Sequence, residues 1–243
     1  MKTFTIGKKK IVLKEEWMVG FITTWIVGLL AHAYRFFNFL PIWDSIYNFT
    51  GVGSTYTLGR WFLGYAGLIT SMFDLPWVNG AFSLFYISIV VILLTEMFEI
   101  KNKGMIVLCA AIFVSFPTVV SSFAYMYTAD AYLLAFLLAT LAVYLTWCVK
   151  KWGTIAGMVC LAFAMGIYQA YATVAIVLVL LYIIRQFVIE KLDFLEAVRK
   201  DLKYLGMLVG GAVLYAVILK ITLIRYNITL PGYQGIGALG IMS

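Results

Sequence analysis

The sequence predicts an all-α, polytopic membrane protein with about seven transmembrane helices, an outer interfacial helix and a cytoplasmic amphipathic helix. The first observation is composition, because 64% of the 243 residues are hydrophobic and only 12% are charged. A soluble domain has about 45–50% apolar and about 25% charged residues. The second is a series of apolar runs close to the roughly 20 residues that cross a bilayer. The third is the concentration of basic residues in alternate loops.

Apolar runs that fit a membrane crossing are found along the chain. They cover about residues 17–37, 77–98, 105–124, 129–149, 153–188 and 204–225. The run at 153–188 is too long for one crossing and just long enough for two short ones. Tyr, Gln and Gly interrupt it in the sequence GIYQAY at residues 166–171, which predicts the break there. Together the runs predict a single transmembrane domain over residues 1–243.

The basic residues predict the orientation of these spans. Most of them fall on one side: Lys2 to Lys14, Lys101, Lys103, Lys150, Lys151, Arg185, Lys191, Arg199, Lys200 and Lys203. The other side keeps Arg35, Arg60 and Arg225, and Lys220 lies within the last span. Cytoplasmic loops of membrane proteins carry the excess of Lys and Arg. Residues 1–16 are therefore predicted to be a cytoplasmic N-terminus.

Two further segments are predicted to lie at the membrane surface. Residues 188–203 alternate apolar and charged side chains at helical spacing, which predicts an amphipathic helix on the cytoplasmic surface. Residues 60–73, with the sequence RWFLGYAGLITSMF, are too short for a span and predict an interfacial or re-entrant helix. This helix belongs to an outer loop at residues 38–75, which is predicted to be catalytic.

Several functional classes find no support in the sequence. The formal net charge of +7 is explained by basic cytoplasmic loops, so no nucleic-acid partner is predicted. Cys109, Cys148 and Cys160 lie inside apolar runs without metal-like spacing and are expected to pack between helices. There is no GxxxxGK[ST] phosphate loop and no His/Cys/Asp cluster. We therefore expect no cofactor.

The outer loop contains a carboxylate and a guanidinium in the stretch PIWDSIYNFTGVGSTYTLGRWF at residues 41–62. Asp44 is the candidate catalytic base, and the alternative is an ordinary loop or cap carboxylate. Arg60 is the candidate for a lipid phosphate, with a membrane anchor as the alternative. Arg35, near the outer end of the first span, is assigned to the same phosphate.

The remaining outer side chains are mostly aromatic or polar and uncharged, which suits sugars. The alternative for each aromatic residue is the belt found at every bilayer interface. The outer acids are Asp44, Asp74 and Asp130. Asp130 begins a span, and its position fits a helix cap and a site residue equally well. The candidate substrate-binding residues are Trp43, Tyr47, Tyr56, Trp61, Asp130, Tyr168 and Gln169.

Three segments of the chain resemble the bacterial and phage serotype-converting O-antigen glucosyltransferases. The first is the outer loop, where WDS is followed by GRWFLGY and a span that starts with proline. The others are IYQAYATVAIVLVLLY and LPGYQGIGALG. The resemblance implies a GT-C type fold and a glucosyl donor linked to polyprenyl phosphate. It also implies a lipopolysaccharide or other glycan acceptor at the outer face of the bacterial inner membrane.

The resemblance also implies residue roles and partners. Asp44 matches the acid expected to deprotonate the acceptor, Arg60 the arginine of the GRW segment, and Tyr168 and Gln169 a pair near the sugar. The first span and the interfacial helix would form the groove for the polyprenyl chain. Flippase or donor-synthesising proteins are implied as partners. The family often has a second acid where this chain has Ser45, which favours a single base and leaves a divalent metal open.

Two alternatives to such an enzyme stay open at this point. A protein that flips or transports a glycolipid would need ionisable residues near the midplane of the spans, and Lys220 is the sole candidate. An O-antigen polymerase or ligase would need a long outer loop rich in arginine. The chain is also shorter than most family members, which predicts that it is the N-terminal part of a longer enzyme.

Overall fold

The structure is a computed structural model that describes residues 2–6, 9–48, 55–191 and 193–230. Within them, five helical stretches are long and apolar enough to span a membrane, by length and composition: Glu15–Phe37, Pro76–Met97, Lys103–Cys148, Gln169–Glu190 and Arg199–Tyr226. The shorter apolar helix Gly153–Ile167 lies between the third and the fourth. The predicted class of a helical membrane protein is thus confirmed, with five candidate spans in place of the predicted seven.

The N-terminus departs from the all-α prediction. Strands β1 (Lys2–Ile6) and β2 (Lys9–Leu13) pair antiparallel, with Lys2 opposite Leu13 and Ile6 opposite Lys9. Thr, Ile and Val are frequent in this segment, and β-branched residues favour extended backbone. The predicted cytoplasmic N-terminus of residues 1–16 therefore contains a hairpin and the first residues of the first helix.

Small residues bring the first helices into close contact. Helix α1 spans Glu15–Phe37, after which the chain continues to α4 (Pro76–Met97) and α5 (Lys103–Ser115). The buried face of α1 repeats every four residues: Gly20, Thr24, Gly28, His32 and Phe36. A Cβ atom at Gly28 would lie 2.4 Å from the Leu84 side chain. Such small residues let helix backbones approach within lipid, where dispersion and packing drive association.

Within the stretch Lys103–Cys148, the first helix and the last helix run in opposite directions. Helix α5 ends before Phe116, whose backbone is extended because Pro117 follows it. Helix α6 (Pro117–Ser122), a 3-10 turn and helix α7 (Met126–Cys148) continue the chain. Helix α4 runs antiparallel to α1, because Leu84 lies at Gly28 and Val91 at Gly20. Helix α5 runs parallel to α1, because Ile106 lies at Gly20 and Val114 at Gly28. In contrast, α4 and α7 run the same way, since Asn79 and Asp130 near their first turns are hydrogen-bonded.

The predicted interruption at residues 166–171 is present. Helix α8 (Gly153–Ile167) ends at Tyr168, whose backbone is extended, and a 3-10 turn Gln169–Tyr171 precedes α9 (Ala172–Arg185). The main hydrophobic core forms where α4, α7, α8, α9 and the last helix meet.

The predicted amphipathic helix at residues 188–203 is not a separate element, so that prediction is wrong. A π-helical turn, Gln186–Glu190, extends α9, and Lys191 adopts a left-handed conformation. Helix α10 (Phe194–Tyr226) then continues from the charged segment into the last apolar run. The charged residues pair locally, because Glu190 accepts hydrogen bonds from Arg185 and Lys200, each at 3.0 Å.

In its described residues, 38–48 and 55–75, the first loop is built from short helices and turns. It contains α2 (Trp43–Asn48), a 3-10 turn Tyr56–Leu58, α3 (Leu63–Ala66) and a 3-10 turn Gly67–Ile69. The predicted interfacial helix at residues 60–73 is therefore broken into pieces. Helix α3 ends at Ala66, before Gly67, and Ser71 and Met72 have left-handed backbone with φ of 52° and 57°.

Candidate functional site

Arg60 lies at the centre of an aromatic cluster that joins the first loop to two helices. Its guanidinium carbon is 4.5 Å from the centre of the Tyr168 ring, and its Nη1 donates a hydrogen bond of 3.2 Å to the Tyr132 hydroxyl. The rings of Tyr132 and Tyr168 stack with centroids 5.5 Å apart. The arrangement fixes the plane of the guanidinium, since cation–π stacking and a hydrogen bond act on it together.

A hydrogen-bond network holds the backbone that precedes Arg60. Gln169 Nε2 donates to the Leu58 carbonyl at 2.8 Å and to the Tyr215 hydroxyl at 2.9 Å. The Tyr215 hydroxyl in turn donates to the Gly59 carbonyl at 3.0 Å. Gly59 has a φ of 71°, a left-handed conformation that suits glycine. Gln169 thus lies beside the arginine turn and bonds to protein groups.

One donor of Arg60 has no partner among the described residues. Its Nε atom is buried and makes no hydrogen bond to them. Burying a polar group without a partner is costly, and charge-assisted bonds from arginine to phosphate or carboxylate are among the strongest hydrogen bonds. The guanidinium therefore suits an anionic ligand.

Asp44 is exposed at the first turn of α2, beside Trp43, which is 79% exposed. No described side chain forms a hydrogen bond or ion pair with it. The buried Ser45 fastens this turn, because its Oγ donates to the Ile42 carbonyl at 2.9 Å and accepts from the Ile42 amide at 3.0 Å. The structure thus leaves the Asp44 carboxylate open, and it forms no ion pair with Arg60. The side chain of Tyr47 lies outside the described residues.

Asp130 lies within α7 and binds neighbouring elements. Its carboxylate accepts hydrogen bonds from Asn79 Nδ2 at 3.1 Å and Thr70 Oγ1 at 3.3 Å. Since α7 begins at Met126, the expectation that Asp130 caps this helix is wrong. The contacts attach the end of the first loop to α4 and α7.

Asp74 is a buried carboxylate that sequence reasoning placed outside but gave no role. It is 8% exposed, and both of its carboxylate oxygens are buried without a hydrogen-bond partner among the described residues. No pattern in the sequence marks it as different from the other outer acids.

Arg35 directs its guanidinium at backbone carbonyls. Nε donates to Phe123 at 2.8 Å, Nη1 to Leu40 at 2.5 Å and Nη2 to Ala124 at 3.2 Å. These bonds fasten the end of α1 to the turn before α7. Arg60 is therefore the better placed of the two arginines for a phosphate.

Trp61 and Tyr56 lie beside the cluster but differ from the sequence expectation. Trp61 is buried against Gly166 and Phe163, with ring centroids 5.3 Å apart for the two aromatic residues, so it is not at an interface. Tyr56 stacks on Tyr226 at 5.1 Å. Burial, with hydrogen bonding to Tyr65, raises the pKa of Tyr56 to about 12.

A cavity of about 680 Å³ opens next to the cluster, within the 300–1,000 Å³ range usual for ligand sites. Tyr168 lines it at one end, and most of the wall is apolar. Its lining residues come from α4, from the segment around the break between α5 and α6, and from α7 and α9.

Tyr132 and Tyr215 complete the site but escaped sequence reasoning. Each sits inside an apolar run, where a tyrosine reads as an ordinary packing or interface residue. Among the residues that the structure describes, no group of three or more His, Cys, Asp or Glu side chains could hold a metal ion.

Comparison with known proteins gives one match. A model of the family described as glucosyl transferase GtrII matches residues 33–243, which is most of the chain. No curated protein and no solved structure matches the chain.

Proposed function

The chain belongs to the glucosyl transferase GtrII family, and from this premise we propose that it uses a polyprenyl-phosphate-linked glucose as donor. The proposed acceptor is a hydroxyl of an O-antigen or another surface glycan. We place the reaction at the outer face of the bacterial inner membrane, with the N-terminus in the cytoplasm. We also propose seven spans, which counts α5 and α7 separately and includes the shorter helix α8. The alternation of basic loops supports this orientation.

The observation that carries the proposal is the arrangement of Arg60. A guanidinium held by Tyr132 and Tyr168, with a buried Nε that has no partner among the described residues, suits the phosphate of a lipid-linked sugar. In a site shielded from water, such a fixed donor stabilises charge that develops on the leaving group. Arg60 is therefore proposed to hold the donor phosphate.

Asp44 is proposed to be the general base. Its carboxylate takes the proton of the acceptor hydroxyl while the acceptor oxygen attacks the anomeric carbon of glucose. The bond between that carbon and the phosphate oxygen breaks, and the electron pair leaves with the polyprenyl phosphate. The exposure of Asp44 supports this role, because an acceptor glycan can reach the carboxylate from solvent. Trp43 beside it provides an aromatic face for a sugar.

The donor glucose is proposed to lie between these two groups. Tyr168 and Gln169 then border its site, although Gln169 acts through the turn that carries Arg60. Asp130 and Arg35 are proposed to support the site through their hydrogen bonds to neighbouring segments.

The test is transfer of radiolabelled glucose from a polyprenyl-phosphate donor into lipopolysaccharide, in membranes that contain the full chain. General-base catalysis contributes about 10²- to 10⁴-fold, so Asp44→Asn should lower the rate by that order. Asp44→Glu should retain part of the activity because it keeps the carboxylate. Asp193→Asn, an exposed aspartate before α10, should leave the rate unchanged.

Two outcomes would contradict the proposal. If the Asp44→Asn variant transfers glucose at the full rate, Asp44 is not the general base. If protease protection shows that the parent chain is inserted and it still transfers no glucose, the proposed donor and acceptor are wrong.

A further inference from the structure

We infer that the apolar cavity between the α5–α6 break, α7 and α9 is the groove for the isoprenyl chain of the donor lipid. The phosphate would then lie at the Tyr168 end, beside Arg60. The identity of the lipid rests on the proposed function, whereas the groove itself is argued from the geometry. Sequence reasoning had expected the groove between the first span and the outer helix.

Two local breaks in the helices produce this groove. Pro117 keeps Phe116 extended, so α5 and α6 do not form one straight helix. On the opposite wall, Tyr168 is extended and α9 begins after a 3-10 turn. The side chains near both breaks line the cavity: Phe116, Thr118, Val119, Tyr168, Ala170 and Tyr171.

The groove is open sideways, where lipid would lie. Three of its lining residues are half exposed: Phe116 at 51%, Val177 at 51% and Leu181 at 46%. A closed internal cavity would bury them. An extended hydrocarbon chain can therefore enter from the bilayer without passing through water.

Most polar side chains that line the cavity come from the segments at the two helix breaks, namely Thr118, Ser122, Tyr168, Tyr171 and Thr173, and the exception is Thr140 on α7. Tyr168 belongs both to the cavity wall and to the cation–π contact with Arg60. The walls further along, such as Leu94, Leu178 and Leu181, are apolar. An apolar groove that ends beside a partly buried cation complements a lipid with a single chain and a phosphate at its end.

The length of the groove is consistent with this ligand. From Ala170 to Leu181 the α9 wall extends about 16 Å at 1.5 Å per residue. This is about half of the roughly 30 Å hydrocarbon core of a bilayer. The first isoprene units would fill the groove, and the rest of the chain would continue into the bilayer through the open side.

The test uses a photoreactive residue in the groove and a matched one outside it. The full chain would carry p-benzoylphenylalanine in place of Val177 or of Leu180, which is 53% exposed on α9 but does not line the cavity. The probe is radiolabelled undecaprenyl phosphate in membranes. Labelling should be stronger at position 177 and should fall when unlabelled probe is added in excess. Arg60→Gln should lower it about tenfold, the loss expected for one charge-assisted hydrogen bond.

A second measurement does not depend on cross-linking. Val177→Trp fills the groove and should raise the KM for the polyprenyl donor, while Leu180→Trp should leave it unchanged. The KM for the acceptor should not change in either variant, because the acceptor does not enter the groove.

The outcomes separate this inference from the proposed function. Transfer of glucose with equal labelling at positions 177 and 180 overturns the groove and leaves the function standing. Selective labelling at 177 in a chain that transfers no glucose supports the groove and overturns the function. Competition by phosphatidylglycerol as strong as that by undecaprenyl phosphate means an unselective lipid surface and overturns the groove.

Discussion

The guanidinium of Arg60 lies against the ring of Tyr168, with 4.5 Å between the guanidinium carbon and the ring centre. This contact joins the first loop to the interruption between α8 and α9. A substitution in either segment should therefore alter the position of the other. The cluster also connects the apolar groove to a cation, which makes Arg60 the residue to vary first.

Replacing Arg60 by lysine should lower transfer although the charge is retained. Lysine lacks the planar fork that stacks on Tyr168 and binds an anion through two parallel bonds. Loss of a charge-assisted bond costs about 1.5–3 kcal/mol, so we expect kcat/KM for the donor to fall by about 12- to 160-fold. Arg225→Lys, at the exposed end of α10, is the matched control and should match the parent. Equal activity of Arg60→Lys would show that only charge matters at this position.

Replacing Tyr132 by phenylalanine should weaken donor binding more mildly. The variant keeps the ring that stacks on Tyr168 and removes the acceptor for Arg60 Nη1. One such hydrogen bond contributes about 0.5–1.5 kcal/mol, which predicts a 2- to 12-fold rise in the KM for the donor. The exposed Tyr34→Phe serves as control. A change in the KM for the acceptor alone would contradict a role through Arg60.

Replacing Gly59 by alanine should disturb the turn that presents Arg60. The residue has a φ of 71°, and a Cβ there would lie 2.6 Å from Gln169 Nε2 and 2.8 Å from the Tyr215 hydroxyl. Left-handed backbone costs about 1–2 kcal/mol for a residue with a side chain. We expect loss of transfer with normal membrane insertion.

Gly64→Ala is the control for this variant, because a Cβ at Gly64 meets nothing within 4 Å. Transfer by the two variants would be measured in the same membranes. If Gly59→Ala and Gly64→Ala are equally active, the turn does not position the arginine.

Replacing Gly28 by alanine should destabilise the contact between α1 and α4. The new Cβ would lie 2.4 Å from Leu84 Cδ2, so the leucine must move. Overpacking of this kind costs about 1–3 kcal/mol. Gly206→Ala meets no atom within 4 Å and should be neutral or stabilising, because alanine favours helix. Thermal unfolding in detergent would compare the two, and a midpoint for Gly28→Ala equal to that of Gly206→Ala would contradict the close packing.

Some of the architecture follows from local sequence. The apolar runs predict the helices because crossing a bilayer depends on length and hydrophobicity, which are properties of a segment alone. The interruption at residues 166–171 follows from GIYQAY in the same way, and the structure confirms it. The two surface helices were predicted less well. The outer one is interrupted after Ala66 and again at Ser71 and Met72, whose backbone is left-handed. The segment at residues 188–203 is divided at Lys191, so that its first residues extend α9 and its residues from Phe194 onward begin α10.

The candidate site was also predicted only in part from the sequence. The sequence picked out Asp44, Arg60, Tyr168 and Gln169 through their residue types and a family resemblance, and the structure brings the last three together. It could not show that Trp61 is buried or that Arg35 binds carbonyls. Trp and Arg are both common at membrane interfaces, and only the neighbouring residues in the fold determine whether such a side chain is buried or binds backbone carbonyls.

The sequence by itself determined that the chain is a helical membrane protein of a glucosyl transferase family, since composition and local segments carry that information. Tertiary structure alone decided that Tyr132, Tyr168 and Tyr215 surround the arginine turn and that an apolar groove ends there. These neighbours come from segments far apart in the chain. They meet because helices pack at the positions their small residues and breaks allow, and no local pattern records such a meeting.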